Sequence, residues 1–335
     1  MKSPLTDKEM VLAKESRTLS FRKEEFEVIY HYYKCVDSGE SFTTEHLDDL
    51  NLNQLYNQYR VKFNLPFPDK IKSIRKRYDI PVSKMSEVLG FGANSYRNYE
   101  AGEVPNQSNA RLIQLAGDAR EFKKLVELSN AFEGKSLEKI LHKIESSIQE
   151  QKSIKLHSQV ENYLLGTSIP DSSTGYKLPN LEKFSEMVIY FTEIMQPWKT
   201  KLNKLLFYAD FEMFKKTIYS ISGIQYRAIQ LGPVPNNFQS IFEYLANNND
   251  VDICYTTFDD ESIGEQFKPN VNRQFNSEIF TEQELNTLKE IADRFKNTTT
   301  NEIIKISHNE KAWIENEKER KIIDYKYSFD LNLNN

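Results

Sequence analysis

The sequence predicts a mainly helical protein with small β elements, and three observations predict it. Apolar residues recur at three- and four-residue spacing through most of the chain, and two-residue alternation is confined to an N-terminal stretch and a few short later runs. Glycine and proline gather at a handful of breaks between periodic segments. A length of 335 residues exceeds the usual size of one domain, so two domains with connecting elements are expected.

Composition narrows the class. Hydrophobic residues make up 39% of the chain and aromatic residues 12%, too many for a disordered chain even with 28% charged. No run reaches the ~18–20 apolar residues of a membrane span, and MKSPLTDKEM lacks the charged-then-apolar pattern of a leader, so the expected location is the cytoplasm, without membrane contact. The two cysteines, Cys35 and Cys254, exclude a disulfide framework and a four-cysteine zinc set, and no metal or cofactor is expected. The net charge of −5 argues against a protein that coats nucleic acid. Residues 68–129 nevertheless carry 11 basic against 8 acidic side chains, a local surplus that suits one DNA-binding module inside an acidic protein.

Taken in order, residues 18–35 alternate in the strand manner, with Phe26, Val28, Tyr30 and Tyr32 on one face, and predict a hairpin turning near Lys23-Glu24. A helix capped by Thr43 or Thr44 follows, carrying Leu47, Leu50, Leu55, Tyr59 and Phe63 at helical intervals and ended by Pro66 and Pro68. Five short helices are expected from Asp69 to about Phe132. Next comes SLEKILHKIESSIQE, whose stripe of Leu137, Ile140, Leu141, Ile144 and Ile148 needs a partner, either its own domain or its copy in a second chain. Residues 166–180 are rich in Gly, Ser and Pro and read as a linker. The resulting segments are 1–67, 68–133, 134–165 as a candidate dimerisation helix, the 166–180 linker, and 181–328. The last begins with two long helices, breaks at Gly223, Gly232, Pro233 and Pro235, and returns to helix at Phe238. Strands and loop are expected over 251–280, then a helix with Thr281 and Glu284 at capping-box spacing.

Residues 82–101 supply the parts of a helix-turn-helix in order: a first helix with Met85, Val88 and Leu89 inward, a turn at Gly90 and Gly92 where positive φ costs little, and a second helix. In that second helix Tyr96 and Tyr99 face the core together, which leaves Asn94, Ser95, Arg97 and Asn98 outward. Asn pairs with adenine and Arg with guanine or phosphate, so these four are the candidate DNA-binding residues. The run LGFGANSYRNYEAGEVP, with IRKRYDIPVSKMSEVLG before it, resembles the helix-turn-helix of the MqsA-type antitoxins, and Tyr99-Glu100-Ala101-Gly102 keeps the closing pattern of that helix. The resemblance implies that Asn94 reads DNA. The family's second base-reading residue, an Arg, aligns with Asn98, and an Arg stands one place earlier at Arg97, so the operator sequence need not be shared. The same family has two Cys-x-x-Cys zinc pairs near its N-terminus. Here the matching segment is Cys35-Val36-Asp37-Ser38, and one thiolate, even with His31, is a poor zinc set, so packing of Phe21, Phe26, Tyr30 and Phe42 is expected to hold the hairpin instead.

By periodicity alone the last segment is compact and mostly helical, with a β element. Its phrases from Lys201 to Phe211, Gly232 to Val234 and Ser307 to Trp313 resemble, in the same order, those of the SocA-like Panacea domain, over roughly residues 180–325. That resemblance implies an antitoxin that neutralises a cognate protein toxin, encoded by the adjacent gene, through direct binding, with the helix-turn-helix binding operator DNA to repress its own operon as a homodimer. Tyr208, Phe211, Tyr226 and Phe238 are read mostly as core, with some as a toxin-binding patch, because large aromatics concentrate at interface hot spots. Two other readings are a transcription regulator with a ligand- or partner-sensing C-terminal domain, and a proteolytic adaptor for a toxin. Asp210, Glu212 and His308 are the one acid/base set an enzyme would draw on, but they lack a metal-ligand spacing and no nucleotide, esterase or zinc-protease motif accompanies them, so the chain is not read as an enzyme.

Overall fold

The computed structural model describes residues 1–166, 169–259 and 261–332, and of residues 151–158 the helical backbone alone. Residues 167 and 168 of the predicted linker and residue 260 of the predicted strand-and-loop stretch lie outside the described residues. The chain divides into two compact units, Met1–Ser158 and Gln159–Asn335. It is mainly helical with small sheets, as expected.

The first unit opens with a long antiparallel ribbon, β1 (Val11–Phe21) and β2 (Glu24–Lys34), to which the short β3 (Ser41–Phe42) adds on the β2 side. The turn is Arg22-Lys23, one residue earlier than predicted, because Phe21 pairs with Glu24. Both turn residues have positive φ, the conformation of a two-residue hairpin loop that normally selects Gly or Asn. A tertiary contact holds the tip: the Arg22 guanidinium donates to the carbonyls of Val104 (2.7 Å) and Pro105 (2.9 Å).

Helix α1 (Glu45–Lys62) is capped by the Thr44 hydroxyl and seals the outer edge of β2 with side-chain amides. Asn51 accepts from the N–H of His31 and donates to its carbonyl (2.8 and 2.9 Å). Gln54 does the same for Ile29 (3.0 and 2.9 Å), and Gln58 donates to the carbonyl of Glu27 (2.8 Å). Three amides at three- and four-residue spacing thus stand in for a neighbouring strand. Phe21 and Phe26 pack on Tyr59 of the same helix, part of the aromatic packing expected for the ribbon.

Five helices follow: α2 (Pro68–Arg77), α3 (Val82–Val88), α4 (Ser95–Glu100), α5 (Gln107–Ala116) and α6 (Ala119–Ser129). Their shared core includes Ile71, Ile74, Met85, Tyr96, Ile113 and Phe122, with the Tyr78 ring stacked on Phe122 at 4.0 Å. Helix α7 (Gly134–Leu165) buries Ile140 and Ile144 in that same core, flanked by Leu137 and Ile148. Of the apolar stripe read as a candidate dimerisation surface, Ile140 and Ile144 are thus covered by their own unit, with Leu137 and Ile148 packed against it.

The second unit is built around α9 (Lys199–Thr217), which follows α8 (Leu181–Met195) and is buried on nearly every side. The hairpin β4 (Tyr226–Ile229) and β5 (Gly232–Pro235) leads to α10 (Phe238–Asn247) and to a separate ribbon, β6 (Val251–Thr257) and β7 (Ile263–Pro269). Helix α11 (Glu282–Phe295) carries the predicted Thr281–Glu284 capping box, and α12 (Thr300–His308) carries a second one at Thr299–Glu302. Helix α13 (Lys311–Ile314) precedes β8 (Ile322–Ile323), which completes the sheet β5-β4-β8.

The described end of the predicted linker belongs to this unit. Thr174 is fully buried, Tyr176 stacks on Phe214 at 6.1 Å, and the Ser172 hydroxyl donates to Asp324 at 2.7 Å. Its polar composition serves tight turns against a core rather than a free tether. No described helix is long and apolar enough to cross a membrane.

Candidate functional site

Two short helices, α3 and α4, joined by a turn, occupy the segment read from the sequence as a helix-turn-helix, and neighbouring side chains fix the second helix in place. Gly90 takes the left-handed conformation at φ 67 and makes the turn; Gly92 does not, so only one of the two predicted turn glycines is needed for its backbone freedom. The Tyr96 hydroxyl donates to the carbonyl of Ile71 at 2.7 Å, and the Tyr99 hydroxyl accepts from the Asn109 amide at 2.8 Å. At the other end Arg75 of α2 grips Glu100 with two bonds (2.7 and 3.0 Å), both side chains largely buried. Arg60, fully buried, donates to the carbonyl of Gly102 at 2.5 Å.

With its inner face held in this way, α4 turns Asn94, Arg97 and Asn98 to solvent, and Ser95 is half-buried. Asn94 occupies the N-cap position, but its side chain makes no cap hydrogen bond. Among the described residues no hydrogen bond engages its side-chain amide. The Arg75–Glu100 clamp was not singled out in the sequence; the Tyr-Glu-x-Gly phrase pointed to the helix end without naming the cation opposite.

In the N-terminal ribbon, Cys35 is buried and its pKa is brought down to about 6 by hydrogen bonds from the hydroxyls of Ser3, Ser38 and Thr6. His31 is buried beside Asn51 through its backbone. Among the described residues no group of three or more His, Cys, Asp and Glu side chains is placed to hold a metal ion.

The three phrases that single out the second unit meet at one point. Lys204 of α9 is fully buried and donates to the carbonyl of Pro233 at 3.0 Å; loss of hydration lowers its pKa to about 7. Beside it lies Gly232, at φ 99, where a Cβ would stand 2.5 Å from the Ser307 hydroxyl and 2.6 Å from Lys204 Cε. His308 stacks on the Trp313 ring at 3.9 Å, and Trp313 Nε1 donates to the carbonyl of Ile229 at 2.7 Å. Burial and the nearby Lys204 depress the His308 pKa. This knot ties α9, the β4–β5 turn and α12–α13 together.

Asp210 fastens a second point. Its Oδ1 accepts from the N–H groups of Ile221 and Ser222 (both 2.8 Å), and Oδ2 accepts from the hydroxyls of Ser222 (2.5 Å) and Tyr226 (2.7 Å). Burial pushes its pKa up while these bonds act against the rise. Glu212 instead faces Lys216 at 3.9 Å, so Asp210, Glu212 and His308 have separate sets of partners.

The aromatic candidates for partner contact are corrected by burial. Tyr208, Phe211 and Tyr226 are fully buried around α9, where Phe211 stacks on Tyr325 at 4.3 Å. Only Phe238, half-buried on α10, reaches the surface. Large apolar exposure lies instead on the β6–β7 ribbon: Tyr255 is 69% and Ile263 68% exposed, with Phe258 packed on Trp198 beside them. Strands were expected in that stretch, but the expectation of a strand cannot say whether a ribbon's second face is covered.

A family model described as Antitoxin SocA-like, Panacea domain, matches residues 202–314, about one third of the chain, a span that includes most of α9, the Lys204–Gly232–Ser307 knot and the exposed ribbon. Among curated proteins no relative matches the chain.

Proposed function

We propose that this protein is the antitoxin of a toxin–antitoxin pair, a non-enzymatic protein that neutralises the toxin encoded beside it by direct binding through the second unit. The observation that carries this reading is the match of residues 202–314 to the SocA-like antitoxin domain. The contact face we infer is the β6–β7 ribbon, with Tyr255 and Ile263 as anchors and Phe238 of α10 as a further candidate, because exposed aromatic and branched apolar side chains drive association. The first unit is proposed to bind the operator of the same operon, with Asn94, Arg97 and Asn98 of the MqsA-like α4 turned to the major groove and Ser95 at its edge.

The two halves are tested separately. Capture of the neighbouring gene's product by the full chain should fail in Tyr255→Asp and Ile263→Asp while operator binding persists. Conversely, Asn94→Ala and Arg97→Ala should each weaken a gel shift on the operon's own promoter by about 5- to 150-fold, the worth of one base contact, with toxin capture intact. Retention by both reading-helix variants at parental affinity would remove α4 from the role.

A further inference from the structure

The ribbon of the first unit has two edges treated in opposite ways. The amides of α1 occupy the outward N–H and C=O groups of Ile29 and His31 and the outward C=O of Glu27. These residues stand across from Thr18, Ser16 and Lys14 in β1, so those three also direct their backbone groups away from the hairpin, and by alternation so do Leu12 and Ser20. Among the described residues, no hydrogen bond reaches the outward backbone groups of Leu12, Ser16, Thr18 or Ser20. Strand β1 is eleven residues long, runs in unbroken register with β2 and contains no proline or bulge. Edges of this length are usually blunted or covered.

We propose that β1 pairs antiparallel with β1 of a second copy of this chain, about a two-fold axis at Ser16. Backbone polarity and charge agree on that register. With Ser16 opposite the second copy's Ser16, the outward-facing residues meet one another, Leu12 with Ser20 as a hydrogen-bonded pair and Lys14 across from Thr18. The intervening residues meet as close, non-bonded pairs: Glu15 with Arg17, Ala13 with Leu19, and Val11 with Phe21. The two Glu15–Arg17 contacts are complementary in sign. Val11 and Leu12, 57% and 54% exposed, gain cover at the ends. A shift of two residues toward the turn brings Arg17 opposite Arg17, and a shift of two the other way brings Glu15 opposite Glu15, so these two charges, which also pair with each other within one chain, favour this pairing over its two nearest neighbours. The contact is isologous, as a two-fold dimer requires, and it does not use α7, whose Ile140 and Ile144 are already buried. It does not depend on the antitoxin reading.

The test uses the full chain in analytical ultracentrifugation. The parent should sediment at twice the chain mass. Glu15→Arg places two like-charged pairs across the axis, as does Arg17→Glu, and each alone should raise the dissociation constant ~10-fold or more. Mixed in equal amounts the two variants should form a heterodimer within ~3-fold of the parent's affinity, because each supplies the charge the other lacks. Contacts within one chain cannot produce that rescue. A monomeric parent, single variants that dimerise like the parent, or a mixture that stays monomeric would each overturn the proposal. So would an edge that is filled only when the neighbouring gene's product is added.

Discussion

Replacing Gly232 by alanine tests whether the convergence of Lys204, Gly232 and Ser307 holds the second unit together. The new Cβ meets two obstacles. At φ 99 the backbone lies where side chains other than glycine are strained, at a cost of about 1–3 kcal/mol. The methyl group would also stand 2.5 Å from Ser307 Oγ and 2.6 Å from Lys204 Cε, and relieving such overpacking costs about 1–3 kcal/mol more. A loss of about 2–5 kcal/mol is expected, a large share of the ~5–15 kcal/mol that stabilises a typical domain. The assay is direct because both tryptophans, Trp198 and Trp313, lie in the second unit, so their fluorescence in urea follows that unit alone. The midpoint should fall accordingly, and the melting temperature by roughly 5–15 °C. Gly39→Ala, which has positive φ but open space around the Cβ, changes the other unit and should leave the tryptophan transition where it is. A Gly232→Ala transition displaced by less than about 0.5 kcal/mol would refute the reasoning, since neither strain nor overpacking would then be felt.

Lys204 gives the second unit a pH dependence of defined sign. Its folded pKa, about 7, lies below the free value of 10.5, so between them the unfolded chain holds the extra proton and stability rises with pH. From pH 7 to pH 9 the gain should be about 2 kcal/mol in the tryptophan-monitored transition, and Lys204→Met should flatten it; a parental slope in the variant would assign the effect elsewhere. The depressed His308 acts with the same sign at lower pH. In the first unit, Arg75→Ala should destabilise by about 2 kcal/mol and weaken operator binding without touching DNA itself. Combining it with Glu100→Ala should cost about 1–2 kcal/mol less than the two changes added, and strict additivity would show that the clamp contributes nothing as a pair.

Much of this architecture was legible before any coordinates. Alternation marked the ribbon, helical spacing and prolines marked α1 to α6, and Thr281 with Glu284 announced the start of α11. The outward face of α4 followed from Gly90, Tyr96 and Tyr99, because an inward pair of tyrosines fixes which side chains are left outside. What was hidden depended on contacts distant in sequence. Tyr208, Phe211 and Tyr226, read mostly as core, are all buried; that none of them is left over for a partner patch is hidden because periodicity shows one buried face, whereas α9 is covered on nearly all sides. Thr174 and Tyr176 lie in a stretch whose composition reads as tether, yet glycine and serine also make the tight turns that pack against a core. The amides of Asn51, Gln54 and Gln58 carry no signal until the helix is laid along the edge of β2. Arg22-Lys23 is a poor turn sequence in isolation, held by carbonyls some eighty residues away.

The most direct test of the proposed function is growth of cells in which the neighbouring gene's product is induced, with and without this chain. Co-expression of the full chain should restore growth and the two proteins should purify together, and Ile263→Asp, folded by its tryptophan transition, should fail to do either. Persistent arrest with the folded parent chain present, and no complex between the two proteins, would contradict the account.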